Sequence, residues 1–331
     1  MASDGVKRAM RERGMEPIDV AAGCRFFRDE LAHGPRHDVE LVAGQGPWGE
    51  VSAGVSADAA PRSEQTARYP LVRRVPRIGV GGALTLEHRL CLADDPYLAD
   101  HVIDGKAVLP MAGALEYMAQ FVAAGWPEWK LAELRDLRLF SGLVLDGDQG
   151  HCDIVLRARA ATHSEPGVQA VTVEIADTRH KGNPNYRATA VLMQDLPLPI
   201  APMLDVADAM ETLDVAQTYD RVLFHGARFR SLTSLRMAMQ PPVADAALQA
   251  STPQGFLSAA DAAASWLFDP ALIDVAPQLA FIWAARDSQA GALPNRMGCV
   301  QRFGEAPIRG ELQLRLRAQA VSAGGGLGYE A

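Results

Sequence analysis

Two short stretches of this chain place side chains that could move protons. The first is DHVIDGKAVLP, residues 100–110, in which His101, Gly105 and Pro110 stand at the spacing H-x-x-x-G-x-x-x-x-P. Imidazole has an ordinary pKa near neutrality, so His101 can gain or lose a proton near physiological pH. Gly105 permits a backbone turn that a Cβ would hinder, and Pro110 suits the opening of a helix, where a missing N–H costs nothing. The imidazole is thereby delivered on a short loop at a helix mouth. A structural histidine in a turn is the competing interpretation. The second stretch is FDPALIDVAPQ, residues 268–278. Asp274 and Gln278 are spaced i, i+4 and share one helical face, where the amide can orient the carboxylate. Among Leu, Ile, Val and Ala, burial is expected to raise the Asp274 pKa and so make a proton donor. The competing interpretation is an N-cap aspartate with Pro277 in the first turn.

Each stretch opens a long apolar helix, predicted at 111–124 and 273–285. Around the first, strands are predicted at 84–90, 131–145, 152–160, 168–176 and 186–193. A proline-punctuated connector at 195–204 follows. The same order then restarts with a short helix at 206–222, strand material over 229–250 and strands at 297–303 and 312–320. The expected plan is one apolar helix wrapped by an antiparallel sheet, twice in tandem, without any fixed-period sequence repeat. Ahead of it, residues 5–33 carry helical spacing broken at 14–17, and 37–43 read as a strand. One strand with two helices cannot cover its own faces, so this fragment is incomplete as a domain. Residues 49–70, rich in Ala, Ser and charge, read as a linker. GQGPWG at 44–49 spells G-x-G-x-x-G, but Pro47 and the linker beyond leave no helix N-terminus for a pyrophosphate, which excludes dinucleotide binding.

Composition narrows the function classes. The 331 residues are 48% hydrophobic and 22% charged, enough apolar material for a sizeable core and against global disorder. A net charge of −8 argues against nucleic acid or anionic lipid as partners. Cys24, Cys91, Cys152 and Cys299 form no C-x-x-C, so neither a zinc site nor a disulfide framework is encoded, and a reducing, cytoplasmic setting is expected. The N-terminus lacks the apolar core of a secretory signal. The apolar run 108–126 is interrupted by Glu116 and Gln120 and reads as a buried helix rather than a membrane span. Arg73, Arg74 and Arg77 form either a solvated basic run or a docking patch for an acidic protein.

The paired motifs, in this order, resemble those of the dehydratase domain of polyketide synthases and related iterative fatty-acid synthases. In that family the first half carries H-x-x-x-G-x-x-x-x-P and the second D-x-x-x-Q. Residues 95–120 (DPYLADHVIDGKAVLPMAGALEYMAQ) and 223–232 (LFHGARFRSL) share the resemblance, which covers about residues 76–331. It implies an α+β double-hotdog fold, with an N-terminal hotdog at 76–204 and a C-terminal hotdog at 205–331 lacking its last strand, after a linker at 49–75. Residues 1–48 resemble the end of a ketoreductase domain without its cofactor-binding half. His225, Gly226 and Phe229 fall where the family often has Tyr-Gly-Pro-x-Phe, so His225 would line the acyl tunnel or serve packing alone. The implied activity is a carbon–oxygen lyase that eliminates water from a 3-hydroxyacyl thioester on an acyl carrier protein, giving a 2-enoyl thioester. His101 would take the C2 proton, Asp274 protonate the departing hydroxyl, and Gln278 orient Asp274. N–H groups behind Pro110, with Gly105, would polarise the thioester carbonyl. The resemblance implies no metal and no cofactor beyond the phosphopantetheine arm that carries the substrate. It implies as partners a carrier protein, an upstream ketoreductase and other synthase domains, and a homodimer. A catalytically inactive synthase fragment with a structural or docking role, a hotdog acyl-thioesterase and a double-bond isomerase side activity are the alternatives.

Overall fold

The structure, a computed structural model, describes residues 21, 23–25, 68–74, 76–78, 83–145, 150–161, 165–179, 184–199, 209–239, 242–287, 293–305, 308–320 and 327–330. The chain divides into two units, Met1–Ala60 and Pro61–Ala331. In the first, residues 23–25 are helical. The rest of the ketoreductase-like reading and GQGPWG lie outside the described residues, as does most of the linker. The second unit holds both motifs.

Its first half is built on α1 (Met111–Gly125), in which residues 111–124 are all buried. A helix apolar on every side must be surrounded, and an antiparallel sheet does so. The sheet contains β1 (Arg77–Ile78), β2 (Leu84–Cys91), β5 (Lys130–Leu139), β6 (His151–Ala160), β7 (Val168–Asp177), β8 (Tyr186–Met193) and β12 (Arg296–Gln301), in the order β1-β2-β6-β7-β8-β5-β12. Strand alternation supplies the inner face: Cys152, Ile154, Leu156 and Ala158 of β6 and Val171, Val173 and Ile175 of β7 point into one core with Leu115, Met118 and Phe121 of α1. The second half packs α4 (Pro270–Asp287) against β9 (Glu211–Leu213), β10 (Leu232–Met239), β11 (Pro242–Gln249), β13 (Glu311–Ala320) and β14 (Leu327–Glu330), ordered β14-β13-β11-β10-β9. Val275, Leu279, Ile282 and Trp283 of α4 bury against Leu235, Met237 and Leu248 of that sheet. Smaller pieces are the hairpin β3 (Val102–Ile103) and β4 (Lys106–Ala107), α2 (Val215–Arg221) and α3 (Pro253–Phe256).

Several sequence expectations need correction. The strand expected over 131–145 stops at Leu139: Asp136 sits at φ 50°, the β5–β8 register slips between Arg135 and Arg138, and the Phe140 amide turns to Asn185 O at 2.8 Å. The strand at 297–303, assigned by sequence order to the second sheet, instead joins the first as β12, with Cys299 opposite Arg135. Gln301 Nε2 donates to Glu133 Oε1 at 2.9 Å and Arg296 pairs with Asp136 at 2.7 Å, fixing that register. The short helix begins only at Val215, because the Asp214 side chain accepts from the Gln217 amide at 3.0 Å. Residues 327–330, outside the strands expected from the sequence, pair with β13. Within the expected linker, Tyr69, Leu71 and Val72 are buried in the first core. Arg73 is no free docking cation, since it pairs with Asp95 at 2.5 Å and Asp94 at 3.2 Å. Cys24, Cys91, Cys152 and Cys299 form no disulfide with one another. Among the described residues, no helix is long and apolar enough to cross a membrane.

Candidate active site

The base motif folds as a tight hairpin. Asp104 and Gly105 take φ 50° and 75°, the left-handed pair that a two-residue turn between β3 and β4 requires, and Asp-Gly suits it. Closing the hairpin sets Val108 opposite His101. The Val108 amide donates to His101 O at 3.1 Å, and His101 Nδ1 lies 2.9 Å from Val108 O. A carbonyl can only accept, so Nδ1 carries the hydrogen and Nε2 of the neutral ring keeps the lone pair. Burial depresses the His101 pKa, opposed by the nearby Asp274 charge, and holds the ring neutral at neutral pH. Pro110 is the N-cap of α1, its carbonyl accepting from the Ala114 amide at 2.9 Å. Gly105 is exposed at the hairpin tip and is not among the residues that line the cleft.

The acid motif lies inside α4, not at its cap. Asp269 fills the capping role, accepting from the amides of Ala271 at 2.9 Å and Leu272 at 3.4 Å. Pro277 is interior to the helix rather than in its first turn. Asp274 is therefore free for other work. Gln278 Nε2 donates to Asp274 Oδ2 at 2.9 Å and lies 3.0 Å from Phe229 O, while the Gln278 carbonyl accepts from Tyr219 OH at 3.1 Å. His225 Nε2 stands 3.0 Å from the same Asp274 Oδ2. Burial alone would lift the Asp274 carboxyl, as the sequence reading expected. The His225 hydrogen bond and charge, His101 and Gln278 outweigh burial and hold it below the ordinary range. The resting carboxyl is thus the anion that receives two N–H donors.

The two motifs meet through the loop 224–229. His101 and His225 form an isolated antiparallel bridge, and the Gly226 amide donates to Asp100 O at 2.8 Å. A Cβ on Gly226 would fall 2.7 Å from Asp100 Cβ and Cγ, so this approach needs glycine. Arg228 closes the loop with a 2.7 Å pair to Asp100. His101, His225 and Asp274 are all buried, and their donor atoms lie within 4.8 Å of one another, close enough to share a metal ion as well as a proton. Phe229, fully buried, packs edge-on to His101 at 5.9 Å, and Phe224 stacks on His225 at 4.1 Å. His101, Phe224, His225 and Asp274 open on a narrow cleft of about 70 Å³, otherwise lined by apolar groups such as Leu109, Met111, Pro277 and Phe281.

Two family models match the chain: "Polyketide synthase dehydratase domain" over residues 70–176 and "Polyketide synthase dehydratase N-terminal domain" over residues 202–328. The chain belongs to the polyketide synthase dehydratase family. A polyunsaturated fatty acid synthase polypeptide of a Thraustochytrium species is 28% identical over 76% of this chain and 9% of its own length. A phenolphthiocerol synthesis polyketide synthase of Mycobacterium bovis is 27% identical over 61% of this chain and 10% of its own. The chain thus spans about a tenth of these relatives. Among solved structures, the dehydratase domain of RzxB from Pseudomonas fluorescens superposes with TM-score 0.57 at 21% identity, covering 77% of this chain and 89% of that one. The PpsC dehydratase domain from Mycobacterium tuberculosis gives 0.55 at 23%, covering 78% and 89%. The fold is accordingly an α+β double hotdog.

For a dehydratase-family chain, three participants escaped the sequence reading. Val108 acts through its carbonyl, which no side-chain motif marks, although the Asp-Gly turn does imply which residue faces His101. Tyr219 orders Gln278 from a helix 59 residues earlier. His225 was placed as tunnel wall or packing, whereas it bonds the acid directly; the signal was a second histidine where the family often has tyrosine.

Proposed function

We propose that the chain is the dehydratase of a cytoplasmic polyketide- or fatty-acid-type synthase, eliminating water from a 3-hydroxyacyl thioester carried on the phosphopantetheine arm of an acyl carrier protein. The observation that supports this most is the convergence of a neutral imidazole, His101, and a hydrogen-bonded acid pair, Asp274 with His225, in one buried apolar cleft. A modestly acidic C2–H demands a placed base, and hydroxide demands a placed acid. His101 Nε2 takes the C2 proton. The C3–O bond breaks as the hydroxyl receives a proton from the Asp274–His225 pair, and water departs. The pair enters the step holding one proton more than its imidazole–carboxylate form; beside it, His225 Nδ1 is a buried nitrogen without a hydrogen-bond partner among the described residues. Afterwards His101 holds the proton that the pair has lost, and transfer across the few ångströms between them resets the site. Free N–H groups in the first turn of α1 polarise the carbonyl. The reaction uses no resident cofactor.

The test is incubation of the protein with a 3-hydroxyacyl pantetheine thioester, followed by mass spectrometry. Expected is loss of water, reduced about 100- to 10,000-fold in His101→Ala and in Asp274→Asn, and insensitive to a chelator. Release of free acid without enoyl product would instead make the protein a thioesterase. Absence of any turnover by the folded protein would favour a structural role, and loss on chelation restored by zinc would make the three clustered groups a metal centre.

A further inference from the structure

A second buried acid–glutamine pair stands on the other central helix. Glu116 and Gln120 of α1 are fully buried, spaced i, i+4, and joined by a 2.7 Å bond from Gln120 Nε2 to Glu116 Oε1. Asp274 and Gln278 of α4 have the same spacing, and the same kind of bond at 2.9 Å. The two helices differ in what the carboxyl faces. Asp274 faces the histidines; Glu116 Oε1 accepts from the Leu267 amide at 2.8 Å and Oε2 from the Phe268 amide at 2.7 Å. Those amides immediately precede Asp269, which caps the helix that carries Asp274. Gln120 in turn accepts from the Leu71 amide at 2.8 Å.

We propose that Glu116 is a positioning residue for Asp274: the acid of the first half, unused for proton transfer, grips the backbone that leads into α4 and so sets the acid of the second half against His101. Two charge-compatible acceptors on adjacent amides fix both the height and the rotation at which α4 starts. Asp274 lies little more than one turn further on. His101 enters the same helix, α1, from its N-terminal side through Pro110, so base and acid are referred to one rigid element. A displacement of about 1 Å at this stage is enough to cost about 100-fold in rate.

The inference rests on the proposed dehydration, and its test separates the two. Turnover is measured with 3-hydroxybutyryl and 3-chlorobutyryl pantetheine thioesters, each above its uncatalysed rate. Chloride leaves without a proton, so only the first substrate needs a placed acid, while both need the base. Asp274→Asn should lose at least 100-fold on the hydroxy substrate and about threefold or less on the chloro substrate, and His101→Ala should fail on both. Glu116→Gln should follow Asp274→Asn, losing about 10- to 100-fold in kcat on the hydroxy substrate only. Gln120→Leu, which keeps both backbone bonds, should show the same selective loss at a smaller size and serves if Glu116→Gln does not fold. Equal losses on both substrates, or none, in a folded variant would overturn the positioning role while leaving the dehydratase standing. No selective loss in Asp274→Asn, or no turnover by the parent protein, would overturn both.

Discussion

At the scale of single residues, the site is defined by where protons rest. Val108 O fixes the hydrogen on His101 Nδ1, and burial, the larger influence, depresses the ring's affinity for a second proton. The base is therefore ready at neutral pH. On the acid side, activity should fall as pH drops through the His101 pKa, so the acid limb of the kcat/KM profile is expected below pH 6.5, the ordinary value for histidine. A limb at or above 6.5 would mean that another group limits the reaction or that His101 is solvated. Asp274 does not behave as burial alone dictates. His225 and Gln278 bring N–H groups to one carboxylate oxygen, and hydrogen bonding to the charged form defeats desolvation. The acid is better described as a carboxylate–imidazole pair than as a solitary protonated aspartate.

At the scale of elements, two glycines of similar prominence have unlike duties. Gly105 has nothing within 4 Å of an added Cβ, so Gly105→Ala carries only the strain of a left-handed turn, about 1–2 kcal/mol, and should leave kcat/KM nearly unchanged. Gly226→Ala drives a Cβ into Asp100 at the bridge joining the two histidine loops. It should destabilise by about 1–3 kcal/mol and depress kcat/KM at least tenfold. Melting curves and steady-state rates on both variants decide between them, and equal kinetic effects would remove the bridge from the account. This division was half legible in the sequence. Helices α1 and α4 announced themselves as apolar runs, and the motifs placed His101 at the mouth of α1 and Asp274 with Gln278 on one face of α4, because turn chemistry and i, i+4 spacing are local. Which sheet takes β12 was not legible: a six-residue strand encodes its inward face but not its neighbour, and the choice is made by Gln301 and Arg296 meeting Glu133 and Asp136 far upstream. The competing N-cap reading of Asp274 fell for a similar reason, since Asp269 and Asp274 both precede apolar residues and only the three-dimensional partners distinguish them.

At the scale of the whole molecule, buried titratable groups in the first half set how the fold responds to pH. Burial pushes Glu116 up to about 8, against the lowering effect of its N–H donors, and lowers His88 to about 3 beside Tyr117 OH at 3.1 Å. The folded protein holds the Glu116 proton more tightly than the unfolded chain, whose glutamates titrate near 4.5. That contribution is complete below pH 4.5 and is lost as pH climbs to 8. His88 has the opposite sense: the unfolded chain binds its proton near 6.5, so its contribution is complete above that and is lost as pH falls toward 3. The depressed His101 and Asp274 act on the acid side with it. Between 4.5 and 6.5 the glutamate and histidine slopes oppose each other; outside that window one acts alone. Urea midpoints recorded from pH 4 to 9 should therefore pass over a broad maximum and decline between 6.5 and 8. Glu116→Gln should flatten the alkaline decline, and His88→Asn the acid one, while each leaves the opposite limb in place. An alkaline decline that survives Glu116→Gln would show that the carboxylate is already ionised in the native fold, held by the Leu267 and Phe268 amides strongly enough to cancel its burial.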